Sequence, residues 1–249
     1  MQKLSLVEEF YSIQGEGLLS GVPSIFLRFG GCNLRCEGFK TKYKIDEIEQ
    51  IGCDSYYAVD PNFSQNWTDI DNIEDVKKII SKYPKTVKDI VLTGGEPLIY
   101  SKNELFLEIL RYFKKLNFRI TIETNGTLFL EDKDEFKDII YSLSLKLANS
   151  EEEFNKRFNI DSIHSIINKS EKSFFKFTLD KYSIKRGATF EILKMVRFFP
   201  ELPVYCMPIG SNIEELEKNA EAVIKLCLEQ GFIYSDRLQI RIWNNKKGC

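Results

Sequence analysis

Hydrophobic and polar positions along this chain of 249 residues follow two alternating periods. Short β-rich apolar runs recur at residues 22–30 (VPSIFLRFG), 89–95 (DIVLTGG), 118–126 (FRITIETNG), 139–147 (IIYSLSLKL), 173–180 (SFFKFTLD), 202–208 (LPVYCMP) and 238–243 (LQIRIW). Most are near-continuously apolar or mixed, as in strands covered on at least one face. Helical spacing fills the gaps. Residues 73–83 place Val76, Ile79, Ile80 and Tyr83 on one side, and residues 102–116 do the same with Leu105, Ile109, Tyr112, Phe113 and Leu116. Residues 185–199 and 212–231 repeat the pattern, the latter with Asn212 as a cap and Gly231 just past its end. Strands alternating with helices predict a parallel sheet of about six strands, wound through right-handed crossovers, with an extra N-terminal strand. That makes a partial barrel, whose chemistry gathers at the C-terminal ends of its strands. The pieces GGCNLRC, TGGEP, ETNGT, LSLKLANS and CMPIGS all lie where predicted strands end, so five loops are expected around one site.

Composition narrows the classes. Thirty-five Lys and Arg against 37 Asp and Glu give a net charge of −2, which argues against a general nucleic-acid surface. No apolar stretch is long enough for a membrane span, and the N-terminus lacks the apolar core of a signal peptide, so the chain reads as cytoplasmic. Six cysteines in a reducing compartment point to metal or redox work more than to a disulfide framework. The single histidine, His164, reads as a helix-surface or half-buried residue and rules out a multi-histidine metal site.

Sulfur is the candidate chemistry. Cys32 and Cys36 flank three residues, and sixteen more separate Cys36 from Cys53. Three thiolates are one short of a closed zinc site and suit a cubane iron–sulfur cluster with one open iron. On spacing alone, a loop cysteine and two core cysteines fit equally well. In TGGEP, Gly94 and Gly95 let the backbone approach a ligand and Glu96 adds a carboxylate for an ammonium group, although a Gly-Gly turn after a strand is common. Cys206 and Cys227 read as core residues, and Cys249 ends the chain, its carboxylate either frayed or folded toward the pocket.

In this order the pieces resemble the radical S-adenosylmethionine (radical SAM) superfamily. More closely they resemble its 7-carboxy-7-deazaguanine synthase family, of queuosine biosynthesis. The resemblance spans nearly the whole chain: EEFYSIQGEG, GVPSIFLRFGGCNLRC, CDSYYA, TGGEPL, ETNGT and RLQIRIWNNKKG. It implies an α/β fold, an open radical SAM β/α barrel, as one domain over residues 1–249 with residues 37–52 inserted in the cluster-binding loop. It implies that Cys32, Cys36 and Cys53 ligate a [4Fe–4S] cluster, and that Ser55, standing where the family has threonine, ligates Mg²⁺. Gly95, Ser144, Lys146 and Met207 take SAM-binding roles, with Leu145 replacing a family proline. Ile13, Gln14, Gly15, Arg28 and Thr93 take substrate-binding roles, Arg28 pairing with a substrate carboxylate.

The implied reaction converts 6-carboxy-5,6,7,8-tetrahydropterin to 7-carboxy-7-deazaguanine with loss of ammonia, SAM being regenerated. The implied partners are the small-molecule pterin, a reductant such as flavodoxin or ferredoxin, and a second copy in a homodimer, with no direct nucleic-acid or membrane contact. No side chain stands out as a general base. Two rivals share some of these features: a radical SAM activase abstracting a glycine hydrogen from a partner protein, and a zinc-binding structural module. The QGE piece and the expected C-terminal strand favour the small-molecule enzyme, and the missing fourth thiol disfavours zinc. Within the insertion, Ile45, Ile48 and Ile51 at three-residue spacing predict a short helix or extended excursion whose isoleucines cover the cluster edge.

Overall fold

A computed structural model describes residues 3–170, 172–244, 246 and 248; Cys249 lies outside them. Among the described residues the strands are β1 (Leu4–Ile13), β2 (Pro23–Phe29), β3 (Thr41–Ile45), β4 (Ile48–Gly52), β5 (Thr68–Ile70), β6 (Asp89–Gly94), β7 (Arg119–Thr124), β8 (Ile140–Leu143), β9 (Phe174–Leu179), β10 (Val204–Pro208) and β11 (Ile233–Tyr234). The helices are α1 (Tyr56–Val59), α2 (Ile73–Ser81), α3 (Glu104–Lys115), α4 (Phe154–Arg157), α5 (Ile160–Ile167), α6 (Lys181–Lys185), α7 (Ala188–Val196), α8 (Ile213–Gln230) and α9 (Leu238–Trp243). One open sheet runs in the order β11-β10-β9-β8-β7-β6-β2-β1-β5, and β3 and β4 form a separate hairpin. From β2 to β11 every pairing is parallel, so the expected six strands are joined by a two-residue seventh. β1 is the extra N-terminal strand, antiparallel to β2, and β5 extends it.

Alternation within each strand divides the sheet into two faces. Ile25, Leu27, Phe29, Ile90, Leu92, Ile120, Ile122, Tyr141, Leu143, Phe175 and Phe177 form one core with Phe106, Leu110 and Phe113 of α3, Ile163 and Ile166 of α5, and Val223 and Leu226 of α8. The opposite, inner face starts with an apolar floor of Ile140, Phe174 and Tyr205. It becomes polar toward the strand ends, where Arg28, Thr93, Glu123, Ser142 and Lys176 stand.

β1 reaches both faces through one irregularity. Leu6 pairs with Phe29 and Glu8 with Arg28, so Val7 is an extra residue, a bulge. An extra residue reverses the facing of everything after it. Leu4 and Leu6 therefore join the helix-side core. Beyond the bulge, Phe10 stacks on Phe26 at 4.7 Å and Glu8 meets Arg28.

Several boundaries follow local chemistry. Asn212 caps α8 by accepting from the Glu215 N–H at 3.0 Å, and Gly231 ends it at φ 71°. The helix expected over residues 185–199 is α7 and starts later, at Ala188; Gly187, at φ 100°, separates it from α6, which ends at Lys185. The strand expected at residues 238–243 is the helix α9. β11 already occupies the sheet edge beside β10, and of the alternating apolar residues only Ile240 is buried. His164 is exposed on α5 with its ring against Phe199, and Cys206 and Cys227 lie in the core, as expected.

Phe106 is fully buried, edge-on to Phe29 at 5.6 Å and tilted against Tyr100 at 6.4 Å. Phe106→Ala is expected to cost about 3–5 kcal/mol. This is read as a fall in the urea midpoint with an unchanged m-value.

Candidate active site

The strand ends build the site in layers. Register sets Arg28 beside Thr93 and Glu123 beside Ser142. The Thr93 hydroxyl donates to Glu123 Oε2 at 2.8 Å and closes the row. Arg28 is held from behind: its Nε donates to Glu8 Oε1 at 2.6 Å, and the Tyr57 hydroxyl donates to the same oxygen at 2.9 Å. The guanidinium lies 5.9 Å from the Tyr57 ring centre. Burial works against the Arg28 charge, but Tyr57, Glu8 and Glu123 outweigh it and raise its pKa, so it remains a cation. Arg28 thus keeps its two terminal nitrogens for a ligand carboxylate.

A chain of alternating charges crosses the same layer. Lys176 Nζ donates to Glu16 Oε2 at 2.9 Å and to Glu123 Oε1 at 3.4 Å. Glu16 Oε1 accepts from Arg237 Nε and from Gln239 Nε2, each at 2.9 Å. Burial alone pushes the Glu16 carboxyl up, yet Lys176 and Arg237 hold it far below the usual carboxylate range. The same partners keep Lys176 charged: burial lowers its pKa, and Glu123 with Glu16 more than reverses this. Gln14 lies over Glu123, with Nε2 3.5 Å from Oε1. Ile13 is half-buried at the end of β1, and Gly15 leaves room for Gln239, whose amide would overlap a Cβ there.

Above this layer sit the sulfur-bearing loops. Gly95 N–H donates to Phe29 O at 3.1 Å and Glu96 N–H to Gly31 O at 2.8 Å, which binds TGGEP to the loop carrying Cys32. A Cβ on Gly94 would lie 2.1 Å from Phe29 O, and one on Gly95 2.2 Å from Gly31 O, so both positions require glycine. With its N–H taken, Gly95 has its carbonyl to offer a ligand.

Glu96 also joins two loops. Its fully buried carboxylate accepts from Leu98 N at 3.0 Å, Thr124 Oγ1 at 2.8 Å and Asn125 N at 2.7 Å. It ties TGGEP to ETNGT, its burial balanced by three nearby donors.

Cys36 is buried and Cys32 and Cys53 are half-buried, all three with free thiols. Burial, together with nearby carboxylates and one another, pushes the Cys32 and Cys53 thiols up to about 12 and raises Cys36 as well. Among the described residues no three acidic, cysteine or histidine side chains converge tightly enough for a single ion. A cubane holds its thiolates at separate corners, and an all-sulfur donor set suits iron. The three positions therefore fit a cluster better than a lone metal. Ser55 begins α1 without using its side chain to cap it, and its hydroxyl lies 3.4 Å from Asp54 Oδ1. A hydroxyl paired with a carboxylate fits the hard-oxygen preference of Mg²⁺.

On the β8 side, Lys146 Nζ donates to Ser144 Oγ at 3.0 Å, and Ser144 N–H donates to Thr124 O at 2.7 Å. Lys146 lies close enough to Cys36 and Cys53 to favour their thiolates. Met207 is buried on the inner face of β10.

The insertion takes the extended form of the two expected, but its isoleucines do not cover the cluster edge as expected. It is the β3–β4 hairpin, with Ile48 63% and Ile51 42% exposed and only Ile45 half-buried. Tyr43 anchors it instead, stacked on Tyr56 at 4.3 Å and donating to Asp60 Oδ2 at 2.8 Å. An aromatic face offers more buried area and a polar tip at once. At the base of the insertion, Glu152 accepts from Arg35 N at 2.5 Å and Cys36 N at 3.2 Å, and Phe39 lies 5.9 Å from Lys146 Nζ.

Three thiols beside a double-glycine turn, above a polar layer at the strand ends, accord with what the chain is similar to. Residues 27–198 match the radical SAM superfamily model. The 7-carboxy-7-deazaguanine synthase of Rhodopirellula baltica is 30% identical over 98% of this chain and 88% of its own length. That of Clostridium acetobutylicum is 31% identical over 98% of both.

The chain belongs to the 7-carboxy-7-deazaguanine synthase family.

A crystal structure of QueE from Escherichia coli matches its fold with a TM-score of 0.62 at 22% identity, over 95% of this chain and 94% of the other. Within this family fold, Glu8, Tyr57, Glu123, Lys176, Arg237 and Gln239 are site residues that the motifs did not single out. Lys176 carried a signal, a charge in the middle of the apolar run FFKFTL, and Glu123 stood inside ETNGT. Arg237 and Gln239 lay inside the piece RLQIRIWNNKKG, but its reading as a strand gave them no place in the site, which they reach through α9.

The Glu16 carboxyl ionises far more readily folded than unfolded, where its ordinary value is 4.5. Its stabilisation is therefore complete above that value and is lost as pH falls through it toward the folded value. Acid unfolding of the native chain should include a slope of up to about 1.4 kcal/mol per pH unit from this group. Glu16→Gln should remove that share and cost about 3 kcal/mol at neutral pH, because Lys176 and Arg237 lose their shared counter-charge. Urea titrations at a series of pH values measure both.

Proposed function

We propose that the protein converts 6-carboxy-5,6,7,8-tetrahydropterin to 7-carboxy-7-deazaguanine with loss of ammonia, as a radical SAM lyase of 7-deazapurine biosynthesis. The observation that carries this reading is Arg28. It is a half-buried cation with two nitrogens left over, in one row with Thr93 and Glu123, beneath three thiols and the Gly94–Gly95 turn. A cation at one end of a row of acceptors matches a heterocycle with a carboxylate at one end and N–H groups at the other.

Cys32, Cys36 and Cys53 are the proposed ligands of a [4Fe–4S] cluster, and Ser55 of Mg²⁺. Gly95, Ser144, Lys146 and Met207 line the proposed SAM side. When bound, the cluster supplies the electron that cleaves SAM to the radical that abstracts the substrate hydrogen. The chain's own residues bind and orient. Arg28 takes the carboxylate, while Glu8 and Tyr57 stop its guanidinium from turning away. Thr93, Gln14 and Glu123 hold the ring, and Ile13 and Gly15 close over it. Lys176, itself held by Glu16, steadies the Glu123 carboxylate as an acceptor. Residues 37–52 are read as an insertion in a single-domain chain. Phe39 and Glu152 brace the Cys36 loop on the SAM side.

The reading takes a flavodoxin or ferredoxin as electron donor, a homodimer as the working unit and the cytoplasm as the compartment. No described helix is long and apolar enough to cross a membrane.

Anaerobic reconstitution with iron and sulfide should give a brown protein that bleaches on reduction. Cys32→Ala, Cys36→Ala or Cys53→Ala should each prevent this. With reductant, SAM, Mg²⁺ and the carboxypterin, mass spectrometry should detect the deazapurine. A colourless protein holding only zinc would sink the cluster, and a full cluster with no deazapurine, beside an active control, would sink the substrate.

A further inference from the structure

We infer that Arg237 is a positioning residue, holding the Asp54–Ser55 turn against the Glu16 loop so that a Mg²⁺ at Ser55 faces the bound pterin. This rests on the function proposed above and adds a residue to it. The guanidinium contacts three loops. Nε donates to Glu16 Oε1 at 2.9 Å, Nη1 to Gly210 O at 2.8 Å, and Nη2 to Asp54 Oδ2 at 3.4 Å. Its side chain is 16% exposed and that of Glu16 10%, whereas Asp54 is 61% exposed. The Asp54 carboxylate thus lies at the rim, with Arg237 as its link to the buried layer.

Asp54 is bonded in sequence to Cys53 on one side and Ser55 on the other. Fixing Asp54 therefore fixes where the Ser55 hydroxyl stands relative to the layer below. From Arg237 the contacts continue through Glu16 and Lys176 to Glu123 and the Thr93 hydroxyl. One unbroken line of contacts joins the candidate metal turn to the candidate pterin contacts. Arg237 also opens α9, and the next N–H, of Leu238, donates to Gly15 O at 2.9 Å. The two anchors leave the guanidinium little freedom to swing away from Asp54. A planar fork can serve three acceptors in fixed directions, which a lysine ammonium on a flexible stem cannot.

The test uses Arg237→Lys and Arg237→Gln in cluster-loaded, unreduced full-length protein with the carboxypterin present and Mn²⁺ replacing Mg²⁺. Electron paramagnetic resonance of free Mn²⁺ reports metal binding without turnover. Both variants should weaken Mn²⁺ binding by about tenfold, the size expected when a residue orienting a metal ligand is lost. The KM for the pterin should rise, while SAM affinity and iron content stay at native values. Arg237→Lys keeps a cation beside Glu16, so it carries the test should Arg237→Gln fail to fold. Native-like Mn²⁺ binding in the lysine variant, or SAM affinity and iron content falling in parallel with it, would overturn the assignment. Native protein that takes up no Mn²⁺ with the pterin present would instead remove the metal from the functional reading, and this role with it.

Discussion

Glu96 is a carboxylate with no exposure to water, and the arrangement of the site depends on it. Three donors from two loops converge on its two oxygens, and its own N–H reaches a third loop at Gly31. Burial raises its pKa, while the N–H and O–H groups pointing at it pull the other way. A buried carboxylate is tolerable only while such partners stay in place. The loops after β2, β6 and β7 are therefore locked together: moving one would strand a charge or an N–H. Gly94 and Gly95 make the lock geometrically possible, since any Cβ there would collide with the neighbouring backbone.

Beneath that lock the site depends on charge pairing. Arg28 and Arg237, half-buried, and Lys176, buried, are matched by Glu8, Glu123 and Glu16 in alternating order. Removing any one member leaves an uncompensated charge in a low-dielectric setting, which costs more than the pair itself contributes. The arrangement buys orientation more than stability: each cation is aimed by an anion. The bulge at Val7 is what admits Glu8 to this group. Without the extra residue, Glu8 would continue on the helix-side face with Leu4 and Leu6.

The hairpin shows where local pattern misleads. Three isoleucines at three-residue spacing implied a buried stripe, yet a two-stranded ribbon has two faces and the body of the protein covers one. The covering contact falls to Tyr43, which meets Tyr56 and Asp60 across a turn that local spacing does not register. The segment LQIRIW failed for a related reason. Its alternation suits a strand, but a strand also needs a free sheet edge, and β11 had taken it.

The sequence alone determined the alternation of strand and helix, the order of the loop motifs along the sheet and the three candidate thiols. Each of these is a property of residues close together in the chain, where periodicity and turn chemistry act. The core assignment of Cys206 and Cys227 and the surface position of His164 were legible for the same reason. Tertiary structure alone decided which charges meet. Glu16 and Arg237 stand 221 positions apart, and Gln14 and Glu123 109 apart. Such pairs exist only after the sheet has curled, the Val7 bulge has turned Glu8 inward and α9 has folded over Gly15. No local signal encodes them, because their energy arises from burial in a shared space rather than from neighbouring residues.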